Sequence, residues 1–172
     1  LIPNLNGTLR SYQTYAVHWM NFLTHLQSGG ILADDMGLGK TVQLLAFLQY
    51  LHSIQKLNGP ILLISPTSVL TNWKREAALF TPELNVKEHY GPKRSNNPKS
   101  LQKNLKGVNI LLTSYGLMQR DSDLLQSFDW FGIVIDEAQA IKNATAKQSK
   151  AVRDIAKKNN CLRIALTGTP IE

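Results

Sequence analysis

Residues 30–41, with the sequence GILADDMGLGKT, constrain the fold more than any other stretch of this 172-residue chain. A short apolar run leads into a turn that contains Gly37 and Gly39, and Lys40 and Thr41 follow directly. Glycines let backbone N–H groups surround an anion, and a following helix directs its positive N-terminal end at the same point. The Lys40 ammonium can then reach the outer phosphates, and the Thr41 hydroxyl can ligate Mg²⁺. The order therefore predicts a strand, a triphosphate-binding loop and a helix. The loop departs from G-x-x-x-x-G-K-[ST] at one position, because Asp34 stands in the place of the first glycine.

A second motif lies nearly a hundred residues later, where residues 131–139 read FGIVIDEAQ. A continuous apolar run is typical of a strand that is buried on both faces of a parallel sheet. In open α/β sheets ligands bind at the carboxyl ends of the strands, and both Asp136 and the phosphate loop fall at such an end. We expect Asp136 to hold Mg²⁺ through its hydration shell and Glu137 to orient or deprotonate the attacking water. The alternative for the acidic pair alone is a solvated helix start, where carboxylates suit the helix dipole.

Alternating apolar and amphipathic segments predict the rest of the fold. We predict strands over about 30–33, 61–65, 85–90, 109–114, 131–135 and 161–166. We predict helices over about 9–28, 39–56, 68–80, 99–105, 116–127 and 145–158, the first capped by Thr8 with an apolar stripe of Tyr12, Ala16, Trp19, Leu23 and Leu26. Strands that alternate with helices imply an α/β fold, with a mainly parallel β-sheet and helices on both faces.

Charge is distributed unevenly along a chain whose formal net charge is +7. Residues 87–120 carry seven lysines and arginines against one acid, and residues 142–163 carry seven more against one acid. Four acids, by contrast, lie in the two phosphate-site motifs. Basic segments are usually solvated surface, but a polyanion partner is a second hypothesis because neutralised phosphates release counterions.

Several functional classes find no support in the sequence. No apolar run approaches the roughly 18 residues of a membrane span, so we expect no membrane partner. The single cysteine, Cys161, forms no internal disulfide and fits a buried position in a reducing compartment. The four histidines lack ligand spacing, so we expect no metal site beyond nucleotide-linked Mg²⁺. We expect the three tryptophans to fill the core or its edge.

Two further strand ends carry small polar side chains. Pro66, Thr67 and Ser68 follow the strand 61–65, and Thr113, Ser114 and Tyr115 follow the apolar run of the strand 109–114 in the same way. Such junctions offer N–H groups and hydroxyls to phosphates, although each alone is also explained by a helix cap. Two of them in one sheet favour a groove that follows a nucleic-acid backbone.

In this order the motifs resemble the first RecA-like lobe of Swi/Snf-type ATPases, the DNA-translocating motors of helicase superfamily two. The matching segments are LRSYQ (9–13), DDMGLGKT (34–41), SPTSVLTNW (65–73), LLTSYG (111–116), DEAQAIKN (136–143) and LTGTP (166–170). An acid at the position of Asp34 is usual in this family. The departures are Gln139 where many relatives have histidine, Ala16 in place of a common glycine, and Tyr90 within the HG-x-x-R-like stretch 89–94.

The resemblance implies a role for each matching segment. Gln13, with Arg10 near it, would hydrogen-bond or pack on adenine. The loop residues Asp35, Met36, Gly37, Leu38 and Gly39 would bind the nucleotide together with Lys40 and Thr41, with Thr41 and Asp136 as the metal ligands. The coupling residues would be Gln139, Thr167 and Thr169, between the nucleotide and the DNA groove. Pro66–Ser68, Thr113–Tyr115 and Lys142 would meet the DNA backbone.

The function implied is that of the ATP-binding lobe, residues 1–172, of a DNA-stimulated ATPase that translocates on double-stranded DNA. Hydrolysis in this family needs a second RecA-like lobe, which we expect in the same full-length protein because LTGTPIE (166–172) resembles a strand-to-loop junction. We expect this lobe alone to hydrolyse almost no ATP. The protein would be cytoplasmic, and nucleoid-associated if bacterial or nuclear if eukaryotic.

Other functions stay open at this point. One is a P-loop ATPase that acts on RNA or protein, which nucleic-acid stimulation would distinguish. Another is a non-catalytic, nucleotide-gated DNA-binding module, although intact Lys40, Thr41, Asp136 and Glu137 argue against it. Strand separation in place of translocation alone is a third.

Overall fold

A computed structural model describes residues 2–26, 29–33, 39–142, 146–159 and 161–168 of the chain. Within these residues the protein forms a six-stranded sheet in the order β1-β6-β5-β2-β4-β3, and every neighbouring pair is parallel. The strands are β1 (Gly29–Ala33), β2 (Ile61–Ser65), β3 (Val86–Glu88), β4 (Ile110–Ser114), β5 (Gly132–Ile135) and β6 (Leu162–Thr167). The predicted parallel α/β fold is confirmed.

Eight helices accompany these strands within the described residues, the first before β1 and the others between strands. They are α1 (Ser11–Leu26), α2 (Lys40–Ser53), α3 (Leu70–Phe80), α4 (Pro98–Asn104), α5 (Tyr115–Arg120), α6 (Ser122–Gln126), α7 (Gln139–Lys142) and α8 (Ala146–Asn159). A 3₁₀ turn over Thr67–Val69 precedes α3. No helix in the described ranges has the length and apolarity that crossing a membrane requires.

Two apolar cores lie on opposite faces of the sheet, because successive strand residues point to opposite sides. In β2, Ile61 and Leu63 join the core formed with α1, α2 and α3. Leu62 and Ile64 join the core formed with α4, α5, α6 and α8. All five residues of β2 are buried, as the continuous apolar run predicts for a central parallel strand.

The middle of helix α2 is buried on all sides, and this packing holds the half-buried residues at its start in place. Every position from 43 to 49 is buried, including Phe47 at 0% exposure. A helix that is enclosed all round is held by packing rather than by one amphipathic face. The first residue of α2 is Lys40, so the backbone of the predicted phosphate-binding lysine is held in place by a well-packed helix.

The first helix differs from its prediction. It begins at Ser11, and Thr8 is not its N-cap, because Oε1 of Gln13 accepts a hydrogen bond from the backbone N–H of Arg10 at 2.8 Å and closes the first turn from within. The predicted apolar stripe is also wrong at its ends. Tyr12 is 49% exposed and Leu26 is 57% exposed. The buried face is formed by Gln13, Ala16, Val17, Met20 and Leu23.

The predicted helix over 116–127 is interrupted at Asp121, which separates α5 from α6. The Asp121 carboxylate accepts hydrogen bonds from Nε of Arg94 at 2.6 Å and lies 2.7 Å from Nε2 of the buried His89. Burial alone raises the pKa of the Asp121 carboxyl, but the hydrogen bonds from Arg94 and His89 outweigh it and hold that pKa below its usual value. These bonds hold the segment after β3 against the α5–α6 junction. The sequence predicts neither this break nor the short helix α7.

Candidate active site

The carboxyl ends of three neighbouring strands bring distant parts of the sequence together. Strand β6 lies between β1 and β5, with Thr167 paired to Ala33 and Ala165 paired to Ile135. The segment after β1 leads to Lys40, and Asp136 follows β5 directly. The two predicted phosphate-site motifs therefore lie at one edge of the sheet, on either side of the end of β6.

Lys40 lies close to the residues that follow β6 and β5. Gly39 precedes it with φ 93° and ψ 0°, a left-handed conformation that favours glycine. A Cβ placed on Gly168 would lie only 3.7 Å from Nζ of Lys40. The positive charge of Lys40 also favours ionisation of the Asp136 carboxyl. Thr41, the next residue of α2, is half-buried. The loop residues Asp35, Met36, Gly37 and Leu38 lie outside the described residues.

Asp136 is held by hydrogen bonds from three directions. Its backbone N–H donates to the carbonyl oxygen of Ile64 at 2.8 Å. Its Oδ1 accepts from the backbone N–H of Glu137 at 2.9 Å, and its Oδ2 accepts from the indole N–H of Trp73 at 2.7 Å. Burial raises the pKa of the Asp136 carboxyl above its usual value. The hydrogen bonds from Trp73 and Glu137 and the Lys40 charge lower that pKa but offset burial only in part. The carboxylate has one orientation and keeps spare acceptor capacity on both oxygens.

Glu137 occupies a turn whose backbone is fixed on both sides. Its φ of 50° is in the left-handed region, which is uncommon for a residue with a long side chain and is often found at functional sites. The next N–H, that of Ala138, donates to the carbonyl oxygen of Leu166 in β6 at 2.8 Å. The Glu137 side chain is exposed, beside the Asp136 carboxylate. An exposed carboxylate here is free to meet a water molecule or a ligand.

The first helix contributes a second wall of the site. Gln13 is 9% exposed, and its Nε2 would lie 2.5 Å from a Cβ built on Gly39. The hydroxyl of Tyr12 would lie 3.7 Å from the same point. Arg10 is exposed at the start of this helix. Gln13 and the phosphate-loop glycine are therefore neighbours, as the predicted adenine role of Gln13 requires, and the prediction that placed Tyr12 in the core missed its position here.

The two predicted backbone-contacting junctions lie side by side. Ser65 at the end of β2 is paired with Ser114 at the end of β4. Thr67 and Ser68 are exposed after the half-buried Pro66, and no side chain caps this turn. The DNA contact predicted for Pro66, Thr67 and Ser68 stays a prediction that this exposure permits.

The three residues predicted at the β4 junction have internal hydrogen bonds. Thr113 is fully buried and its hydroxyl donates to the carbonyl oxygen of His89 at 3.0 Å. Oγ of Ser114 accepts from the N–H of Leu117 at 3.2 Å and caps α5. The Tyr115 hydroxyl donates to the Asp136 carbonyl oxygen at 2.7 Å. These three hydroxyl groups therefore have partners inside the protein, and the DNA contact predicted for Thr113, Ser114 and Tyr115 stays a prediction.

Burial, and then the carboxylates of Asp136 and Glu137, raise the pKa of the Tyr115 phenol. The hydroxyl therefore keeps its proton and remains a hydrogen-bond donor to the Asp136 backbone. Tyr115 supports the turn that carries the two acids, a role that the position of the residue in the sequence does not indicate.

The remaining predicted residues are described only in part. Gln139 and Lys142 are the first and last residues of α7, and their side chains are outside the description. Thr167 is fully buried at the end of β6. Thr169 lies outside the described residues. Their coupling and DNA-contact roles stay predictions.

Sequence reasoning missed Trp73 as part of the site and assigned it to the core. Both assignments have a basis, because the ring is 2% exposed and packs in the core formed with α1, α2 and α3, while its N–H reaches Asp136. The available signal was chemical, since a buried indole N–H requires an acceptor. The sequence does not say which acceptor.

Comparison with known proteins follows the same motifs. The model of the SNF2-related domain family matches residues 12–172. YwqA of Bacillus subtilis (strain 168), named as a candidate ATP-dependent helicase/translocase, is 45% identical over 172 residues, which cover 99% of this chain and 18% of YwqA. The ISWI chromatin-remodeling complex ATPase ISW1 of Saccharomyces cerevisiae is 40% identical over 170 residues, covering 98% of this chain and 15% of ISW1. The chain thus spans less than a fifth of the length of these relatives.

Solved structures agree with the sequence relatives. The SWI2/SNF2 ATPase core of Sulfolobus solfataricus in complex with double-stranded DNA superposes with a TM-score of 0.83 at 39% identity. The match covers 99% of this chain and 34% of that chain. A second structure, of the Sulfolobus solfataricus SWI2/SNF2 ATPase core domain, gives a TM-score of 0.83 at 42% identity. With its RecA-like parallel sheet and a family match that begins in the first helix, this chain belongs to the SNF2-related domain family of Swi/Snf-type ATPases.

Proposed function

We propose that this chain is the ATP-binding lobe of a DNA-dependent ATPase that translocates along double-stranded DNA. The observation that carries the proposal is the meeting of Lys40, Gly168 and Asp136 at the edge of β1, β6 and β5. A cation at a helix N-terminus and a carboxylate on the neighbouring strand end form the two halves of a triphosphate site.

In this proposal Lys40 and Thr41 bind the phosphates of ATP together with the loop 35–39. The start of the buried helix α2 keeps the Lys40 ammonium near the phosphates through hydrolysis, where charge develops on the transferred group. Gln13 and Arg10 bind the adenine, and the nearby Tyr12 hydroxyl borders the same space.

The residues present fit a magnesium ion that enters with the nucleotide. Among the described residues, no group of three or more histidines, cysteines, aspartates and glutamates could hold a metal by itself. Mg²⁺ is usually bound by one or two carboxylates, water molecules and substrate phosphates, so the Thr41 hydroxyl and the Asp136 carboxylate suffice. The ion would supply charge neutralisation of the β- and γ-phosphates. Asp136 would hold its water ligands with the acceptor sites that Trp73 and Glu137 leave open.

Glu137 completes the hydrolytic residues in this proposal. Its exposed carboxylate orients the attacking water or accepts its proton, and the fixed turn at residues 136–138 holds it beside the phosphates. Its side chain is exposed on a left-handed backbone, whereas the Asp136 side chain is half-buried and bonded to Trp73. The two neighbouring acids can therefore serve two roles, one toward the metal and one toward water.

Double-stranded DNA is the proposed track. The Sulfolobus relative was solved in complex with double-stranded DNA. In this chain Thr67 and Ser68 are exposed after the carboxyl end of β2, and α8 exposes four basic residues. These are Lys147, Lys150, Arg153 and Lys157. Cationic and hydroxyl side chains are the usual ligands of the phosphate backbone.

The proposal extends to the whole protein and its location. A second RecA-like lobe of the same protein would close over the nucleotide and supply arginines to the transition state. The protein would work where DNA is, in the nucleoid of a bacterial cell or in the nucleus of a eukaryotic one.

The test is the ATPase rate of the full-length protein with no polymer, with duplex DNA, with single-stranded DNA and with RNA at equal nucleotide concentration. We expect the largest stimulation with duplex DNA, because a motor that translocates on duplex DNA couples ATP hydrolysis to the binding of that polymer. A Glu137→Gln variant, which keeps the size of the side chain, should lose hydrolysis and keep nucleotide binding.

Two results would replace the proposal. Greater stimulation by RNA than by duplex DNA would favour an RNA-directed ATPase. An unchanged, DNA-independent rate in Glu137→Gln would indicate a nucleotide-gated binding module in which hydrolysis is not performed at this site.

A further inference from the structure

Trp73 joins helix α3 to the carboxylate at the centre of the proposed site. Leu70, Trp73 and Ala77 form the buried stripe of α3, so the indole points from the helix into the sheet. Its ring is 2% exposed, and its Nε1 lies 2.7 Å from Oδ2 of Asp136. The two residues come from different elements, α3 and the turn after β5.

A core tryptophan does not need a carboxylate partner. Trp130 is 3% exposed, and its N–H donates to the backbone carbonyl oxygen of Leu125 at 2.7 Å. That arrangement satisfies a buried indole without involving an ionisable group. The N–H of Trp73 instead takes one acceptor site on the side chain proposed to hold the metal, where a donor constrains orientation as well as packing.

The two hydrogen bonds on the Asp136 carboxylate have different consequences. The bond from the backbone of Glu137 is local to the turn. The bond from Trp73 comes from another element, helix α3, and it fixes the rotation of the carboxylate about its side-chain bonds. A free rotor would place its open acceptor sites in many directions, whereas a fixed one presents them in a single direction.

Helix α3 also connects this carboxylate to the exposed turn after β2. The 3₁₀ turn Thr67–Val69 leads without interruption into α3, and Trp73 lies in the first turn of that helix. A displacement of the turn would be carried to the indole because helix and turn are continuous. Tyr115 holds the backbone of Asp136 from the β4 side.

We infer, on the basis of the proposed function, that Trp73 is a positioning residue that sets the orientation of the Asp136 carboxylate toward the magnesium–nucleotide complex. The indole N–H does this through its hydrogen bond, and the ring serves the core. Removing the N–H while keeping an aromatic ring therefore separates the two roles.

The experiment compares Trp73→Phe with Trp130→Phe in the full-length protein. Each change removes one buried indole N–H, but only the first removes a donor from Asp136. We expect Trp73→Phe to lower kcat for DNA-stimulated ATP hydrolysis by about 10-fold, the effect of one lost charge-assisted hydrogen bond, with the KM for ATP changed far less. Trp130→Phe should leave kcat within about 2-fold of wild type, because its partner is the backbone carbonyl of Leu125 in α6 and Trp130 precedes β5 at the end opposite Asp136.

A binding measurement provides a readout that does not depend on turnover. Binding of a fluorescent ADP analogue is titrated with Mg²⁺, and the Mg²⁺ concentration at half-maximal binding is compared. Trp73→Phe should raise this concentration several-fold, and Trp130→Phe should not change it. In the Asp136→Asn background the Trp73→Phe change should have no further effect on it, because residues that act through one group are not additive.

Replacement of Trp73 by benzothienylalanine, in which sulfur stands in place of the indole N–H, covers the case that phenylalanine leaves a damaging cavity. This side chain keeps the volume of indole and should reproduce the loss in kcat and the shift in Mg²⁺ dependence. Wild-type values of both quantities in the benzothienylalanine protein would overturn the inference. An absence of DNA-stimulated hydrolysis in the wild-type protein would instead refute the proposed function.

Discussion

Replacing Lys40 with alanine in the full-length protein is expected to lower DNA-stimulated ATP hydrolysis by about 100- to 1,000-fold. This is the typical loss when one preorganised group that stabilises transition-state charge is removed. The ammonium lies at the start of a helix whose middle is buried on all sides, close to Gly168 and within electrostatic reach of Asp136. Steady-state hydrolysis at saturating duplex DNA measures the effect.

Lys56 provides the matched control for this prediction. It is exposed beyond the opposite end of α2, after Ser53, so Lys56→Ala removes the same charge from the same region of sequence. Its rate should stay within about 2-fold of wild type, as is usual for exposed surface substitutions. Equal losses in the two variants, or full activity in Lys40→Ala, would remove Lys40 from the catalytic residues.

The second large effect concerns residues 1–172 in isolation. We expect residues 1–172 alone to hydrolyse ATP about 10³- to 10⁵-fold more slowly than the full-length protein with duplex DNA, which is the usual worth of an arginine supplied from outside the site. Two arginines of this chain are engaged elsewhere, Arg75 with Asn72 and Arg94 with Asp121. The structural relative is about three times as long as the part matched, since the match covers 34% of it.

The comparison requires that the isolated chain be folded. Its circular dichroism and its binding of a fluorescent nucleotide are therefore measured first. Weak nucleotide binding with almost no turnover is the expected result. Turnover near that of the full-length protein, and its loss in Lys40→Ala, would show that this lobe alone contains a complete catalytic site.

Local sequence patterns predicted the positions of the strands along the chain, because a buried parallel strand is marked by its own residues. Continuous apolar runs in a parallel sheet bury both faces, so ILLIS at residues 61–65 gives the exact bounds of β2. Polar residues directly after such runs must lie at one edge, which brought Lys40 and Asp136 together in the prediction as in the structure.

The features that escaped prediction depend on contacts between distant residues. Trp73 and Asp136 are 63 positions apart, and no periodicity links an indole to one carboxylate among twelve acids. The internal hydrogen bonds of Tyr115 and Thr113 also escaped prediction, because a polar strand end has the same pattern whether its side chains point outward or bond inward. The break at Asp121 coincides with its bonds to His89 and Arg94, which come from the segment after β3 and lie beside Asp121 because β3 pairs with β4.

The most direct measurement is a structure of the full-length protein with Mg²⁺ and a non-hydrolysable ATP analogue. The account predicts the phosphates between the start of α2, at Gly39–Thr41, and the turn at Asp136, with the metal on the Thr41 side chain and bridged by water to Asp136. Nucleotide phosphates bound away from the shared edge of β1, β6 and β5 would contradict it.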